Sequence, residues 1–307
     1  IFISILTTSM LYSQVAEGEK KLREHKKDTI VGWRTGGLVA INFSQTSLIN
    51  WAAGGQNSIA GNSLVSLFAN YRKDKDAWDN ALDLGYGLLR QGSDDLRKTD
   101  DKIDLVSKYG RIAYENWYFA ALFNFKTQMM PGYNYPNVDD VISDFLAPAY
   151  TLFAAGMDYK PSKDFNLFIS PLTGKITTVN NKALSNVGAF GVAPGKMNRA
   201  EFGGYIRLLY KTELLENVSI QNKLDLFSNY LEKPKNIDVN WEVLLSMKIN
   251  QYITASIATH LIYDDDIKID IDTNKDGIID KSGPRTQFKE VFAVGFSYKF
   301  AKTSKQK

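Results

Sequence analysis

The stretch with the most specific chemistry is an acidic segment at 272–280, with the sequence DTNKDGIID. Its oxygen-bearing residues alternate, as in calcium loops whose alternate oxygens converge on a hard cation while a glycine permits the sharp turn. The expected ligands are Asp272, Asn274, Asp276, the carbonyl of Ile278, and Asp280. Position twelve is Gly283 instead of the usual bidentate Glu, so weak affinity is expected. The alternative is a polar Asx turn that holds no ion.

The two histidines give little support for catalysis. His25 lies in a charged segment near the start of the chain, whereas strand alternation directs His260 inward. Ser256 is four residues back on the same face, about 13 Å away and too far for a hydrogen bond. A Ser from a neighbouring strand stays open as an alternative partner. We therefore expect no enzyme, and no cofactor apart from a structural Ca²⁺ in the acidic loop.

Composition narrows the class of protein. A length of 307 residues allows one large β domain, and aromatic residues are frequent at 12%. After the N-terminal segment, no window approaches the apolar run of about eighteen residues that a transmembrane helix needs. The net charge of +3, without a basic aromatic patch, argues against a nucleic-acid partner. The absence of Cys excludes disulfides, thiolate metal sites and a lipid-anchoring cysteine.

Alternating hydrophobicity predicts the strands that carry the candidate site residues. In QFKEVFAVGFSYKF at 287–300, Phe292, Val294 and Phe296 share one face, while small or charged residues share the other. In a membrane barrel the apolar face contacts lipid and the polar face lines the lumen. The pattern predicts an all-β fold, a transmembrane antiparallel outer-membrane β-barrel of about twelve strands. The predicted strands are 34–45, 63–73, 78–91, 103–114, 117–129, 149–160, 165–177, 199–212, 218–231, 237–249, 252–265 and 287–300.

The connections alternate between short turns and, except at 232–236, long loops. Aromatic residues such as Trp33, Trp78 and Trp117 fall where strands meet the short turns, as in an interfacial girdle. In bacterial outer-membrane barrels the short turns are periplasmic and the long loops extracellular. We therefore expect an outer-membrane protein with extracellular long loops and both termini in the periplasm.

Four segments are predicted along the chain. Residues 1–13 fit the remnant of a secretory signal peptide, with a buried N-terminal strand as the alternative. A charged periplasmic lead is expected at 14–33, the barrel at 34–300 and a basic periplasmic tail at 301–307.

Several segments resemble an uncharacterised family of Bacteroidota outer-membrane β-barrels known only as a domain of unknown function. They are NWAAGGQNS at 50–58, FKTQ at 125–128, PGYNYP at 131–136, SDFLAPAY at 143–150 and ISPLTGKIT at 169–177. The similarity extends from about Trp33 to Phe300, and NWAAGG is its most specific part. The resemblance implies the barrel fold and the outer membrane, and it supplies no catalytic residues. The partners expected are the lipid bilayer of the outer membrane, the barrel assembly machinery and other envelope proteins.

Two functions follow from the charges predicted to face inward. They carry both signs, so they fit a salt-bridged interior as readily as a selective pore. One hypothesis is a narrow channel that transports small solutes; the alternative is a structural or accessory subunit with a closed lumen. The predicted inward charges are Asp79, Asp83, Asp104, Lys108, Lys126, Glu201, Arg207, Lys211, Lys223, Asp225, Asp238, Glu242 and Lys248. The small, apolar loop at 186–195 is expected to form either a constriction or a protein contact.

Overall fold

A computed structural model describes residues 31–49, 55–162, 164–250, 253–271 and 280–303. The strands are β1 (Gly32–Thr46), β2 (Ser58–Lys73), β3 (Asp76–Gln91), β4 (Arg97–Tyr114), β5 (Trp117–Thr127), β6 (Gly132–Tyr133), β7 (Val141–Ser143), β8 (Ala149–Tyr159), β9 (Phe165–Thr178), β10 (Asn198–Leu215), β11 (Val218–Asn229), β12 (Ile237–Lys248), β13 (Ile253–Tyr263), β14 (Lys268–Ile271), β15 (Lys281–Pro284) and β16 (Gln287–Thr303). A short helix, α1 (Lys182–Asn186), lies in the loop between β9 and β10. Within the described residues, no helix has the length and apolar character needed to cross a membrane.

Twelve of the strands form one closed antiparallel barrel, in the order β1-β16-β13-β12-β11-β10-β9-β8-β5-β4-β3-β2. The ring closes between the first and last strands, where Gly37 of β1 lies opposite Phe300 of β16. Every barrel strand therefore has a partner on both sides, and the ring has no exposed backbone edge. The four remaining short strands form two hairpins within the long loops. The predicted all-β barrel of about twelve strands is confirmed.

The barrel includes slightly more of the chain than the predicted residues 34–300. It begins at Gly32 and ends at Thr303, because residues 301–303 continue the pairing of β16 with β1. The first three residues of the expected basic tail are thus part of the last strand. The expected signal remnant and most of the expected lead lie outside the described residues.

The outer surface is apolar and the inner surface is largely polar. Phe153, Trp241 and Phe296 are 53%, 43% and 64% exposed in the middle of their strands. Inward-facing residues such as Ala154, next to Phe153, and Asn42 of β1 are buried. A band of large exposed hydrophobic side chains around a closed barrel is the surface that lipid tails solvate. The apolar face predicted for the last strand is exposed, as at Phe292, Val294 and Phe296.

Aromatic side chains follow the rim that carries the short turns. Ring centroids of Trp33 and Tyr71 lie 5.3 Å apart, and those of Trp117 and Tyr159 lie 4.7 Å apart. Such a row fits the interfacial level of a membrane, where amphipathic rings contact both headgroups and hydrocarbon.

A bulge in β9 changes which side chains point inward. Ser170 and Thr173 are both almost fully buried, although strict alternation would place them on opposite faces. Pro171, which lies between them, has no N–H to donate to a ladder. The pairing of β9 shifts register on both of its sides at this level. Beyond the bulge the parity is reversed, and Lys175 points into the lumen.

Candidate functional site: the barrel lumen

The lumen is the largest concentration of polar groups in the described part of the chain. Its inward side chains come from strands all around the ring, and most have little contact with solvent. Buried polar and charged residues of the barrel strands include Asn42, Asn62, Ser66, Asn70, Asp104, Asn124, Asp158, Ser170, Thr173, Thr177, Glu201, Arg207, Lys211, Asp225, Ser246 and Thr254. Buried polar groups are costly unless they are paired, so their partners decide what the lumen can do.

Near the short-turn rim, ion pairs connect strands that are not neighbours. Lys108 of β4 contacts Asp158 of β8 at 2.8 Å, across the intervening β5. Lys108 also donates to Asn166 of β9 at 3.1 Å. Lys160 contacts Asp158 at 3.0 Å and Asp79 of β3 at 3.3 Å. These contacts therefore link the strands on one side of the barrel through its interior.

In the middle of the barrel, charges are paired on the β10–β12 wall. The hydroxyl of Tyr205 donates to Asp225 at 2.7 Å, and Arg207 lies 3.7 Å from the same carboxylate. Asp104 of β4 accepts a hydrogen bond from the side chain of Asn124 at 2.7 Å and lies 3.5 Å from Lys102. Charged groups at this level of the lumen are therefore paired.

An apolar cluster fills part of the same interior. Phe168 has no solvent exposure, and its ring centroid lies 6.3 Å from that of Tyr205. Leu122 and Phe227 are buried in the same cluster. The amino group of Lys108 lies 6.0 Å from the centre of the Phe168 ring. Aromatic and aliphatic side chains therefore pack against each other in this part of the interior.

Towards the long-loop rim, Lys175 is surrounded by carboxylates. Its amino group lies 2.7 Å from Asp238, 3.5 Å from Glu201 and 3.6 Å from Asp264. The Lys175 side chain is only 12% exposed. These partners belong to β12, β10 and the loop after β13, so a single ammonium group joins β9 to three other parts of the wall.

The loops above Lys175 continue this pattern. Arg199 forms an ion pair with Asp266 and another with Glu201 at 3.2 Å. Lys233 lies 3.2 Å from Asp265. This hydrogen bond lowers the pKa of Asp265 and raises the pKa of Lys233, because each partner stabilises the charged form of the other.

Two long loops pack together over the same rim. Val179 and Ala147 are completely buried, and Leu184 and Val192 complete their cluster. Gly191 in the second loop closely approaches the Arg199 side chain and the Asp266 backbone. The loop expected to constrict the lumen or contact a protein thus folds onto its neighbouring loop and the rim ion pair.

His260 lies on the inner wall, as predicted, and its nearest polar partner is an amide. Its Nε2 lies 2.8 Å from Oδ1 of Asn240. The side chain of Ser256 lies outside what the structure describes. The expectation that the protein is not an enzyme stays a prediction.

The predicted calcium loop also stays a prediction. Asp272, Asn274, Asp276 and Ile278 lie outside the described residues, and Asp280 alone falls within them, just before β15. Among described residues, no cluster of three or more acidic, His or Cys side chains is arranged to hold a metal ion.

We expect millimolar Ca²⁺ to protect the 266–286 loop from proteolysis, because a bound cation would offset its crowded carboxylates. Asp276→Ala should abolish this protection while leaving barrel assembly intact. Limited proteolysis with Ca²⁺ or a chelator tests it. Equal digestion under both conditions would leave the polar turn as the correct interpretation.

Two central residues, Lys175 and Asp158, are absent from the predicted inward charges, each for a different reason. Asp158 has the inward parity of β8, so alternation alone was sufficient to find it. Lys175 follows the bulge at Pro171, and its orientation reverses there. A proline inside a predicted strand was the available signal.

Together, the closed ring, the apolar exterior and the paired interior define a transmembrane β-barrel whose lumen is occupied by its own side chains. Residues 43–133, fewer than half of the chain, match the family described as "Protein of unknown function (DUF3078)". A family of unknown function agrees with the resemblance of the sequence segments, whereas the Bacteroidota origin stays a prediction. No curated protein matches the chain.

Three solved structures that are similar to the barrel are distant in sequence. The translocator domain of the autotransporter NalP from Neisseria meningitidis is 10% identical, with 94% of each chain covered and a TM-score of 0.39. An outer membrane channel from Pseudomonas putida F1 is 12% identical, with 90% of this chain and 100% of that chain covered and a TM-score of 0.41. The Pseudomonas putida toluene transporter TodX is 8% identical, with 95% of each chain covered and a TM-score of 0.30. At these values the similarity supports no functional assignment.

Proposed function

We propose that this protein is a bacterial outer-membrane barrel with a closed lumen that serves as a structural or accessory subunit of an envelope assembly. The observation that carries the proposal is the set of ion pairs between strands that are not neighbours in the ring. Lys108–Asp158 near one rim and Lys175–Asp238 near the other each bridge at least one intervening strand. A diffusion pore instead needs a continuous water-filled path lined by hydrated charges.

The outer membrane is the location that this architecture supports. An even number of antiparallel strands, an apolar outer band, a polar interior and an aromatic row at the short-turn rim are the features of bacterial outer-membrane barrels. In β16, exposed aromatic residues such as Phe292, Phe296 and Tyr298 share the lipid face. We infer that this final strand is recognised by the barrel assembly machinery.

The proposed orientation places the long loops outside the cell and both termini in the periplasm. The motivation is the length difference between the two rims. An epitope tag inserted after Gly195, where a side chain would meet no neighbouring atom, should be labelled by antibody on intact cells. A tag placed in the short turn after Asp74 should be labelled only after permeabilisation. The reverse pattern would invert the orientation.

A narrow channel for small solutes is the second candidate. Asn42 favours it, because the buried side-chain amide has no hydrogen-bond partner within the part of the chain that the structure describes. An amide in this position could contact a passing solute or a water molecule.

Swelling of proteoliposomes in isotonic sugars and amino acids distinguishes the two candidates. If the lumen is closed, the proteoliposomes should swell at the same rate as protein-free liposomes. Swelling that depends on solute size would instead support the narrow channel. A general porin reconstituted in the same lipid is the positive control.

A further inference from the structure

A groove on the outer surface of the barrel has no role in closing the lumen. It lies where β16, β1 and β2 meet, and its volume is about 420 Å³. Its lining residues are Thr35, Gly36, Leu67, Phe68, Phe300 and Lys302. Thr35, Leu67, Phe300 and Lys302 have the outward parity of their strands, so the groove faces the lipid.

Glycine and small side chains make the groove. Gly37 lies between Phe300 on one side and Leu67 on the other, in one row across the three strands. A Cβ atom at Gly37 would lie 2.7 Å from Leu67 and 2.8 Å from Phe300, so these apolar side chains lean over the glycine. In the next row, towards the short turns, Thr35 lies between Lys302 and Ala69. The short side chains of Thr35 and Ala69 leave a depression beside the bulkier Leu67 and Phe300.

The groove has a cationic end and an apolar end. Lys302 is exposed, and within the described residues it has no acidic partner. The Thr35 hydroxyl and the Lys302 ammonium group are both hydrogen-bond donors, and phosphate oxygens accept from such groups. Leu67 and Phe300 lie one row further from the short-turn rim.

The position of the groove relative to the membrane suits this polarity. Trp33 pairs with Tyr71, and its ring lies 5.7 Å from that of Trp78, so three aromatic rings cluster in the row nearest the rim. Such clusters lie at the headgroup level. Lys302 lies one outward row deeper, about 7 Å along the strand, from which a lysine side chain reaches the headgroups by snorkelling.

We propose that this groove binds one phospholipid of the bilayer. Lys302 and Thr35 would contact its phosphate, and one acyl chain would lie along Leu67 and Phe300. Charge complementarity identifies the occupant as an anionic headgroup carrying an acyl chain, because Lys302 and Thr35 donate to phosphate oxygens while Leu67 and Phe300 contact hydrocarbon.

Native mass spectrometry of the full barrel, released from detergent micelles containing phosphatidylglycerol, tests the proposal. The wild-type protein should retain one tightly bound lipid. Lys302→Gln and Thr35→Val should each weaken retention, by about tenfold for the lysine because a charge-assisted contact is lost. Lys182→Gln, an exposed lysine of α1 at the opposite rim, is the matched control and should retain lipid like the wild type.

One competitor completes the design, and heat-modifiable gel mobility verifies that each variant is folded. Glycerol phosphate, which carries the headgroup charge without a chain, should not displace the lipid. Equal retention in the folded Lys302→Gln and wild-type proteins would overturn the proposal. Displacement by glycerol phosphate alone, or a lipid-free dimer as the observed species, would overturn it as well.

Discussion

Replacing Phe153 by arginine is expected to destabilise the barrel by about 2–4 kcal/mol or to prevent its assembly, since a cation would face lipid near the bilayer midplane. Phe153 lies in the middle of β8, is 53% exposed, and its ring centroid lies 5.0 Å from that of Phe123. In a water-soluble barrel the same change would place a charge in solvent, with little effect on the free energy of unfolding.

Phe145→Arg is the matched control. Phe145 is similarly exposed, at 49%, but lies in the loop just before β8. A surface change there should alter the free energy of unfolding by about 0.5 kcal/mol or less. Urea unfolding in lipid vesicles, with heat-modifiable mobility as the assembly readout, measures both variants. An equal loss of unfolding free energy in the two variants would contradict the assignment of Phe153 to the lipid-facing side of β8.

Replacing Lys175 by methionine is expected to lower the free energy of unfolding by about 3–5 kcal/mol, because one partner of a buried charge network is removed. The ammonium group lies within 3.6 Å of Asp238, Glu201 and Asp264. Methionine preserves much of the volume of the side chain, so the loss reports on the uncompensated carboxylates. Urea unfolding followed by tryptophan fluorescence measures the change.

Lys233→Met is the control for this prediction. Lys233 also contacts a carboxylate, that of Asp265 at 3.2 Å, but its side chain is 63% exposed. Exposed ion pairs contribute about 0–1 kcal/mol, so the control should be nearly as stable as the wild type. A loss from Lys175→Met no larger than that from Lys233→Met would show that the lumen pairs do not hold the wall together.

The barrel itself was predictable because its period of two extends through most of the long strands. Membrane exposure imposes one apolar face, and that face fixes strand parity without any knowledge of the partners. Phe296 and Trp241 illustrate this, since both face outward as their spacing predicts. The ends of the barrel were less predictable, because Ala301, Lys302 and Thr303 are strand only by virtue of pairing with β1.

The candidate site was only partly predictable. Parity indicates which charges face inward, but not which of them meet across the ring, because that depends on the register of many strands. Lys175 was missed because the bulge at Pro171 reverses parity in mid-strand. The apolar cluster around Val179 and Ala147 joins two loops far apart in sequence, and no local pattern signals such a contact.

Single-molecule conductance in planar lipid bilayers tests the closed lumen most directly. The account predicts that the wild-type barrel, once inserted, shows no stable conductance steps at moderate voltage and salt. Insertion is verified independently by protection of the strands from added protease. Reproducible steps of uniform size from the inserted wild-type protein would contradict the closed lumen and establish a continuous channel through the barrel.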